Sequence, residues 1–135
     1  MKKILISGAL AGVVLSIISY GGLFLAIQFF PQLFVEYNNP LFNSDGSRDA
    51  LFYAHAFVIS FALSWIWERF KSLFKGNMIL RGLEFGIVYG LTALVPVMWI
   101  SFSAMDITVT MVGSWLLYGL IQSTVAGILF AKINP

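Results

Sequence analysis

Four long apolar runs dominate the chain, and they restrict its possible folds more than any other feature. The first run, residues 4–30, contains 27 residues and no charged side chain. A helix needs about 20 mainly apolar residues to cross a bilayer, so this run is long enough to span one. The runs at 51–67, 83–104 and 107–131 are similar in character. Together they predict an all-α polytopic membrane protein, a four-transmembrane-helix bundle in a single domain covering residues 1–135.

Composition supports lipid as the solvent of this chain. Hydrophobic residues make up 59%, charged residues only 10%, and the mean hydropathy is +0.89, whereas soluble domains carry about 25% charged residues. The first run is too long for the apolar core of a secretion signal and contains no small-residue cleavage site, so we expect a retained span. The intervening segments are an outer loop over 31–50, with a turn expected at 43–46, and an inner loop over 68–82. Asp49 is expected to cap the second helix, which should continue past the membrane to Phe74 and stop around Gly76 and Asn77.

The basic residues predict the orientation. With the N-terminus inside, a single basic residue, Arg48, lies outside, and short cytoplasmic loops are enriched in Lys and Arg. We therefore expect cytoplasmic N- and C-termini and a cell membrane location, most simply a bacterial inner membrane. The scattered basic residues form no nucleic-acid patch, which leaves the lipid bilayer as the first partner. The seven inner basic residues are Lys2, Lys3, Arg69, Lys71, Lys75, Arg81 and Lys132.

Small residues recur at every fourth position in each run. Such faces let two helix backbones approach closely, which drives helix association in lipid. The pattern predicts a compact bundle, a homo-oligomer, or docking onto other membrane subunits. The residues concerned are Gly8, Gly12, Ser16, Ala56, Ser60, Ser64, Gly82, Gly86, Gly90, Gly119, Ser123 and Gly127.

A polar pocket is predicted in the outer half of the bundle. His55, Tyr20, Pro96 and Trp115 fall at similar depths when each helix rises 1.5 Å per residue. Proline also leaves the carbonyl of Thr92 without its helical donor. Because His titrates near neutral pH, the pocket is a candidate for proton sensing or ligand binding. The alternative is a neutral His55 that is bonded to a neighbouring helix.

Two further polar groups are candidates for ligand contacts. Glu84 is expected to pair with Arg81 one turn earlier, or else to bind a proton or cation if it points inward. Gln122 shares a helix face with Trp115 and should find a partner across the helix pair, where Tyr89 lies at a similar depth.

Aromatic residues gather near the expected interfaces, where amphipathic rings favour the headgroup level. An interfacial belt is therefore predicted at both sides of the membrane. Its inner members are Trp65, Trp67, Phe70 and Phe74, and its outer members are Phe29, Phe30, Tyr37, Phe52, Tyr53 and Trp99.

The sequence carries no enzyme signature. Cysteine is absent, one histidine cannot form a metal site alone, and no residue pairs a nucleophile with a base. No cofactor is indicated. Two functions remain: an accessory or scaffolding subunit within a larger membrane assembly, and a homo-oligomeric channel or transporter for a small solute or ion.

Overall fold

Helices account for nearly all of the ordered architecture. A computed structural model describes residues 1–42 and 45–135, so part of the turn expected at 43–46 lies outside the described residues. Within the described ranges the chain contains no strand. A π-helical segment, Gly90–Leu94, joins α4 to α5 without a break. The helices are α1 (Lys2–Phe29), α2 (Gln32–Glu36), α3 (Asp49–Phe70), α4 (Met78–Tyr89), α5 (Val95–Ala104) and α6 (Val109–Ile133).

Four of these helical units are long and apolar enough to cross a membrane. They are α1, α3, the continuous unit Met78–Ala104, and α6. The all-α prediction and the number of long helices are therefore confirmed. The bounds differ from the predicted ones by a few residues, and capping side chains account for the largest differences.

Asn77 starts a helix, although the sequence suggested that it followed one. Its side chain accepts hydrogen bonds from the backbone N–H groups of Ile79 and Leu80, both at 3.0 Å. Such N-cap bonds satisfy donors that have no partner inside the helix. The third long helix therefore begins at Met78, five residues before the predicted 83. Gly76 precedes it with a φ of 97°, a left-handed conformation that favours glycine.

The other helix ends also follow local chemistry. Phe30 leaves the helical region at φ −134°, because the following Pro31 disfavours helical backbone at the residue before it. Asp49 was predicted to cap α3 but is its first residue, where its charge favours the positive end of the helix dipole. The α3 helix ends at Phe70 and does not continue to Phe74. Thr108 caps α6 by accepting from the Met111 N–H at 3.2 Å.

Helices α1 and α3 form an antiparallel pair held by serine hydroxyls. Ser60 donates to the carbonyl of Gly8 at 2.9 Å, and the hydroxyls of Ser7 and Ser64 are 2.7 Å apart. All four residues are buried. Small residues thus bring the backbones close enough for side chain to backbone bonds between helices. Ser16, by contrast, is half-buried and bonds its own helix at the Gly12 carbonyl.

Helices α4 and α6 form the second antiparallel pair, and glycines line its contact. The Cα of Gly82 lies against Gly127, and Gly86 lies against Thr124. A Cβ added at Gly82 would sit 2.6 Å from the backbone nitrogen of Ile128, closer than real Cβ atoms come. The two pairs join mainly through α6, which packs against both α1 and α3.

Packing is uneven along the helices. One end, here called the basic end, brings together residues 1–3, 68–81 and 132–135, with seven basic side chains and one acidic side chain, Glu68. The half of the bundle next to it holds nearly every buried helical residue. In the opposite half, comprising residues 16–29, 49–58, 95–104 and 109–118, only Ala56 and Met111 are buried among the described helical residues. The helices are therefore tightly packed at one end and open at the other.

The π-helical segment lies where this change in packing occurs. The N–H of Val95 bonds the carbonyl of Gly90, which is one residue more than an α-helical turn. The wider turn precedes Pro96, which has no N–H to donate to the helix. Beyond it, α5 buries none of its residues.

The close contact of α4 and α6 should dominate the stability of the fold. Gly82→Leu is expected to lower the free energy of unfolding by about 1–3 kcal/mol, since the added atoms force two backbones apart. Gly113→Leu is the matched control, because nothing lies within 4 Å of a Cβ at Gly113. Titration of the detergent-purified protein with sodium dodecyl sulfate measures the free energy of unfolding of both variants. Equal unfolding midpoints for the two variants would contradict the packing described.

Candidate functional site

The residues of the predicted outer pocket are not joined to each other. No hydrogen bond within the described residues links any two of Tyr20, His55, Pro96 and Trp115. His55 is exposed and has no hydrogen-bond partner in the described chain, and Pro96 is exposed as well. Tyr20 packs on Tyr53 instead, with ring centroids 5.4 Å apart. Similar depth along the helices did not bring these side chains to one place, because depth does not fix the direction of a side chain.

Trp115 holds the segment after α2 against α6. Its indole N–H donates to the Tyr37 hydroxyl at 2.7 Å, and the ring of Phe42 meets it edge-on at 6.3 Å. At the N-cap of α6, the Thr108 hydroxyl lies 2.8 Å from both carboxylate oxygens of Glu36. These contacts fasten residues 34–42 over the end of the bundle opposite the basic end. Tyr37 is thus a tertiary contact as well as a predicted belt residue.

A cavity of about 420 Å³ opens beside these contacts. Polar groups line much of it, including the carboxylates of Glu36 and Asp106 and the amide of Asn38, while Met111 lies among its apolar residues. The cavity lies at the end of the helices opposite the basic end. None of the six predicted ligand residues lines it.

Gln122 finds its partner on its own helix, which then connects to α1. The side-chain amide donates to the Tyr118 hydroxyl at 2.9 Å, and that hydroxyl also bonds the Ser19 hydroxyl. Gln122 is buried. Tyr89, the predicted partner, packs half-buried against the apolar core instead. The Gln122–Tyr118–Ser19 chain therefore binds α6 to α1 near the middle of the bundle.

The densest group of polar contacts lies at the basic end, around Asn134. The indole N–H of Trp67 donates to the Asn134 carbonyl at 2.9 Å, and Lys71 donates to its side-chain oxygen at 2.7 Å. The Asn134 amide donates to the Glu68 carboxylate, which also pairs with Lys71 at 3.3 Å. Asn134 is only 1% exposed, so this basic-end cluster ties the end of α6 to α3 in a buried setting.

Trp67 and Phe74 belong to the core, which corrects their predicted place in an interfacial belt. Trp67 is fully buried, and the ring of Phe74 stacks on it with centroids 5.5 Å apart. Phe85 and Phe130 pack around the same indole at 5.4 and 6.1 Å. Trp65 and Phe70, by contrast, are exposed by 49% and 47%, as belt residues would be.

Arg81 does not pair with Glu84. Its guanidinium lies 5.0 Å from the centre of the Trp67 ring, and it donates to the Lys71 carbonyl at 3.2 Å. Glu84 is exposed, and the only ion pair among the described residues joins Lys71 to Glu68. The cation–π contact with a buried indole draws Arg81 inward, away from its neighbour one turn later.

Sequence reasoning missed Ser19 and Asn134 as interhelical contacts. Ser19 lies three residues after Ser16 and could have been found as a polar residue within an apolar run. Asn134 gave no such signal, because its partners lie 63–67 residues away in the sequence.

Comparison with known proteins identifies no relative. No protein-family model, curated protein or solved structure matches this chain. In the described part of the chain, no three His, Asp or Glu side chains lie close enough together to hold a metal ion.

The basic-end cluster can be tested by removing its central side chain. Asn134→Ala should lower the free energy of unfolding by about 1–3 kcal/mol, since the side-chain hydrogen bonds to Lys71 and to Glu68 are both lost. Asn38→Ala, at an exposed position, is the control. Unfolding in sodium dodecyl sulfate measures the stability of both variants. An Asn134→Ala protein as stable as the Asn38→Ala protein would show that the cluster contributes little to the stability of the fold.

Proposed function

We propose that this chain is an accessory subunit that packs against another membrane protein within a bilayer. In this proposal α1, α3, the Met78–Ala104 unit and α6 cross the membrane. The basic end faces the cytoplasm together with both described chain ends, as the enrichment of basic residues favours. A bacterial inner membrane is the location that fits this arrangement.

The uneven packing is the observation that carries the proposal. A chain that worked alone would be expected to pack its helices along their full length. Here the opposite half exposes large apolar side chains on several helices, among them Leu51 at 70% and Trp99 at 78%. Lipid can cover such surfaces, but helices of a partner can cover them as well and would complete the bundle.

The exposed His55 favours a protein partner over lipid alone. Ionisable side chains within spanning helices are costly in lipid and usually face protein or water. His55 lies six residues inside α3 and has no partner among the described residues, although its ring can both donate and accept hydrogen bonds. A partner helix in contact with this face would satisfy it. Glu84, six residues into α4, presents the same problem nearer the basic end.

The interior of the basic half argues against a solute path through a single chain. Its buried polar side chains bond one another across the helices, as Ser7 does with Ser64. The Gln122–Tyr118–Ser19 chain does the same at mid-depth. These groups serve as contacts between helices, a common role of such residues in membranes.

One observation favours the alternative, a homo-oligomeric channel or transporter. The third long helix widens into a π-helical segment before Pro96, and such segments within helices are frequent at functional sites. Flux of small ions or solutes into proteoliposomes tests it. Transport that is lost in His55→Ala or Glu84→Gln would replace the accessory function with this one.

The accessory function predicts that His55 matters for association. His55→Ala should reduce the amount of partner that stays bound after gentle extraction from the native membrane, because the partner loses a hydrogen bond in a dry interface. Native mass spectrometry of the extracted protein counts the bound subunits. The fold should be unaffected, since His55 bonds nothing within the described chain.

Two controls make this result specific. Gly113→Leu changes an exposed position on α6 that shares a helix face with Leu117, and it should leave the partner in place if the contact lies on α3. His55→Gln keeps a donor and an acceptor and should retain most of the partner. A bare homo-oligomer for the unaltered protein would contradict the proposal.

A further inference from the structure

We infer that the basic end binds the phosphate groups of anionic phospholipids in the cytoplasmic leaflet, through basic side chains that the fold leaves free. This inference rests on the membrane location proposed above, and it adds a ligand that the accessory function does not require. The seven basic residues of the basic end fall into two groups: two that bond other parts of the protein, and five that are exposed and form no ion pair among the described residues.

Two of the seven are used inside the protein. Lys71 bonds Glu68 and Asn134, and Arg81 contacts the Trp67 ring and the Lys71 carbonyl. Their charges are thus committed to holding α3, α4 and α6 together. Replacing either one would disturb the fold, so neither can report on ligand binding.

The remaining five are exposed, and none forms an ion pair among the described residues. Acidic side chains do not compensate them, since Glu68, the one acid of the basic end, is bound within the basic-end cluster, and the next acid along the chain, Glu84, adds a single charge. The surface therefore carries a net positive charge that the protein itself leaves unneutralised. The five residues, here called the free basic rim, are Lys2, Lys3, Arg69, Lys75 and Lys132.

Arg69 shows how the rim could meet a lipid. Its guanidinium lies 4.3 Å from the centre of the Trp65 ring, and both side chains are exposed on the surface of α3. Tryptophan favours the headgroup level of a bilayer, which places the guanidinium beside the lipid phosphates. Arginine donates two parallel hydrogen bonds to a phosphate. Lys75 lies six residues further along the chain, in the segment between α3 and α4.

Charge complementarity selects an anionic lipid. Juxtamembrane basic residues attract anionic headgroups, and each Lys or Arg near the surface strengthens binding about fivefold. A zwitterionic lipid has a phosphate but no net charge, so the rim should discriminate between phosphatidylglycerol and phosphatidylcholine that have the same acyl chains.

The test is lipid binding by the full chain in detergent, measured by native mass spectrometry with added phosphatidylglycerol or phosphatidylcholine. We expect tighter binding of phosphatidylglycerol, and a loss of about 25-fold in the double variant Arg69→Gln/Lys75→Gln. Arg48→Gln removes a basic residue at the opposite end and should bind as the unaltered protein does. Added salt should weaken the preference, because exposed charges are screened.

Three results would overturn the inference. The first two are equal binding of the two lipids and unchanged binding by the double variant. The third is full displacement of phosphatidylglycerol by millimolar inorganic phosphate, which would indicate a site for free phosphate.

Failure of the proposed function is measured separately. Release of the protein from membranes by alkaline carbonate would contradict membrane insertion, and absence of a bound subunit would contradict the accessory function, whatever the lipid result.

Discussion

Close contact between helix backbones in the basic half holds each of the two helix pairs together. Apolar surface alone cannot hold helices together in lipid, because the solvent is as apolar as the side chains. The glycines of α4 and α6 and the serines of α1 and α3 instead allow backbone contact and short hydrogen bonds. Trp67 then fills the space between the pairs, and its ring contacts reach α4 and α6 through Phe85 and Phe130.

The open half follows from where these contacts stop. The glycine contacts between α4 and α6 end near Gly90, which meets Leu120, and the π-helical segment begins at the same residue. Beyond this segment, α5 with its Pro96 contributes no buried residue. On α1, Gly21 and Gly22 are exposed, and no atom of another element lies within 4 Å of a Cβ added at either position. The same chain thus combines a stable, closed half with a half that is left available for lipid or for another protein.

The sequence predicted well the features that depend on local composition. It predicted poorly those that depend on the direction of a side chain around its helix or on contacts between residues far apart in the chain. Four long helices follow from run length and hydropathy. The predicted pocket around His55 assumed that equal depth means contact, whereas rotation about the helix axis decides which side chains meet. Trp67 was assigned to the interface from its position near a run end, yet the cluster around Asn134 extends the core to that level. Those contacts join residues far apart in the chain and leave no periodic signal.

Spin-label distance measurements test the central claim, that the bundle is closed at the basic end and open at the other. The chain has no cysteine, so single exposed sites can be changed to cysteine and labelled in pairs. A pair at Leu5 and Ile79 should give a narrow distance distribution in purified protein. A pair at Leu25 and Trp99 should give a broad one that narrows in membranes containing the partner. Equally narrow distributions at both ends of the purified chain would contradict the account.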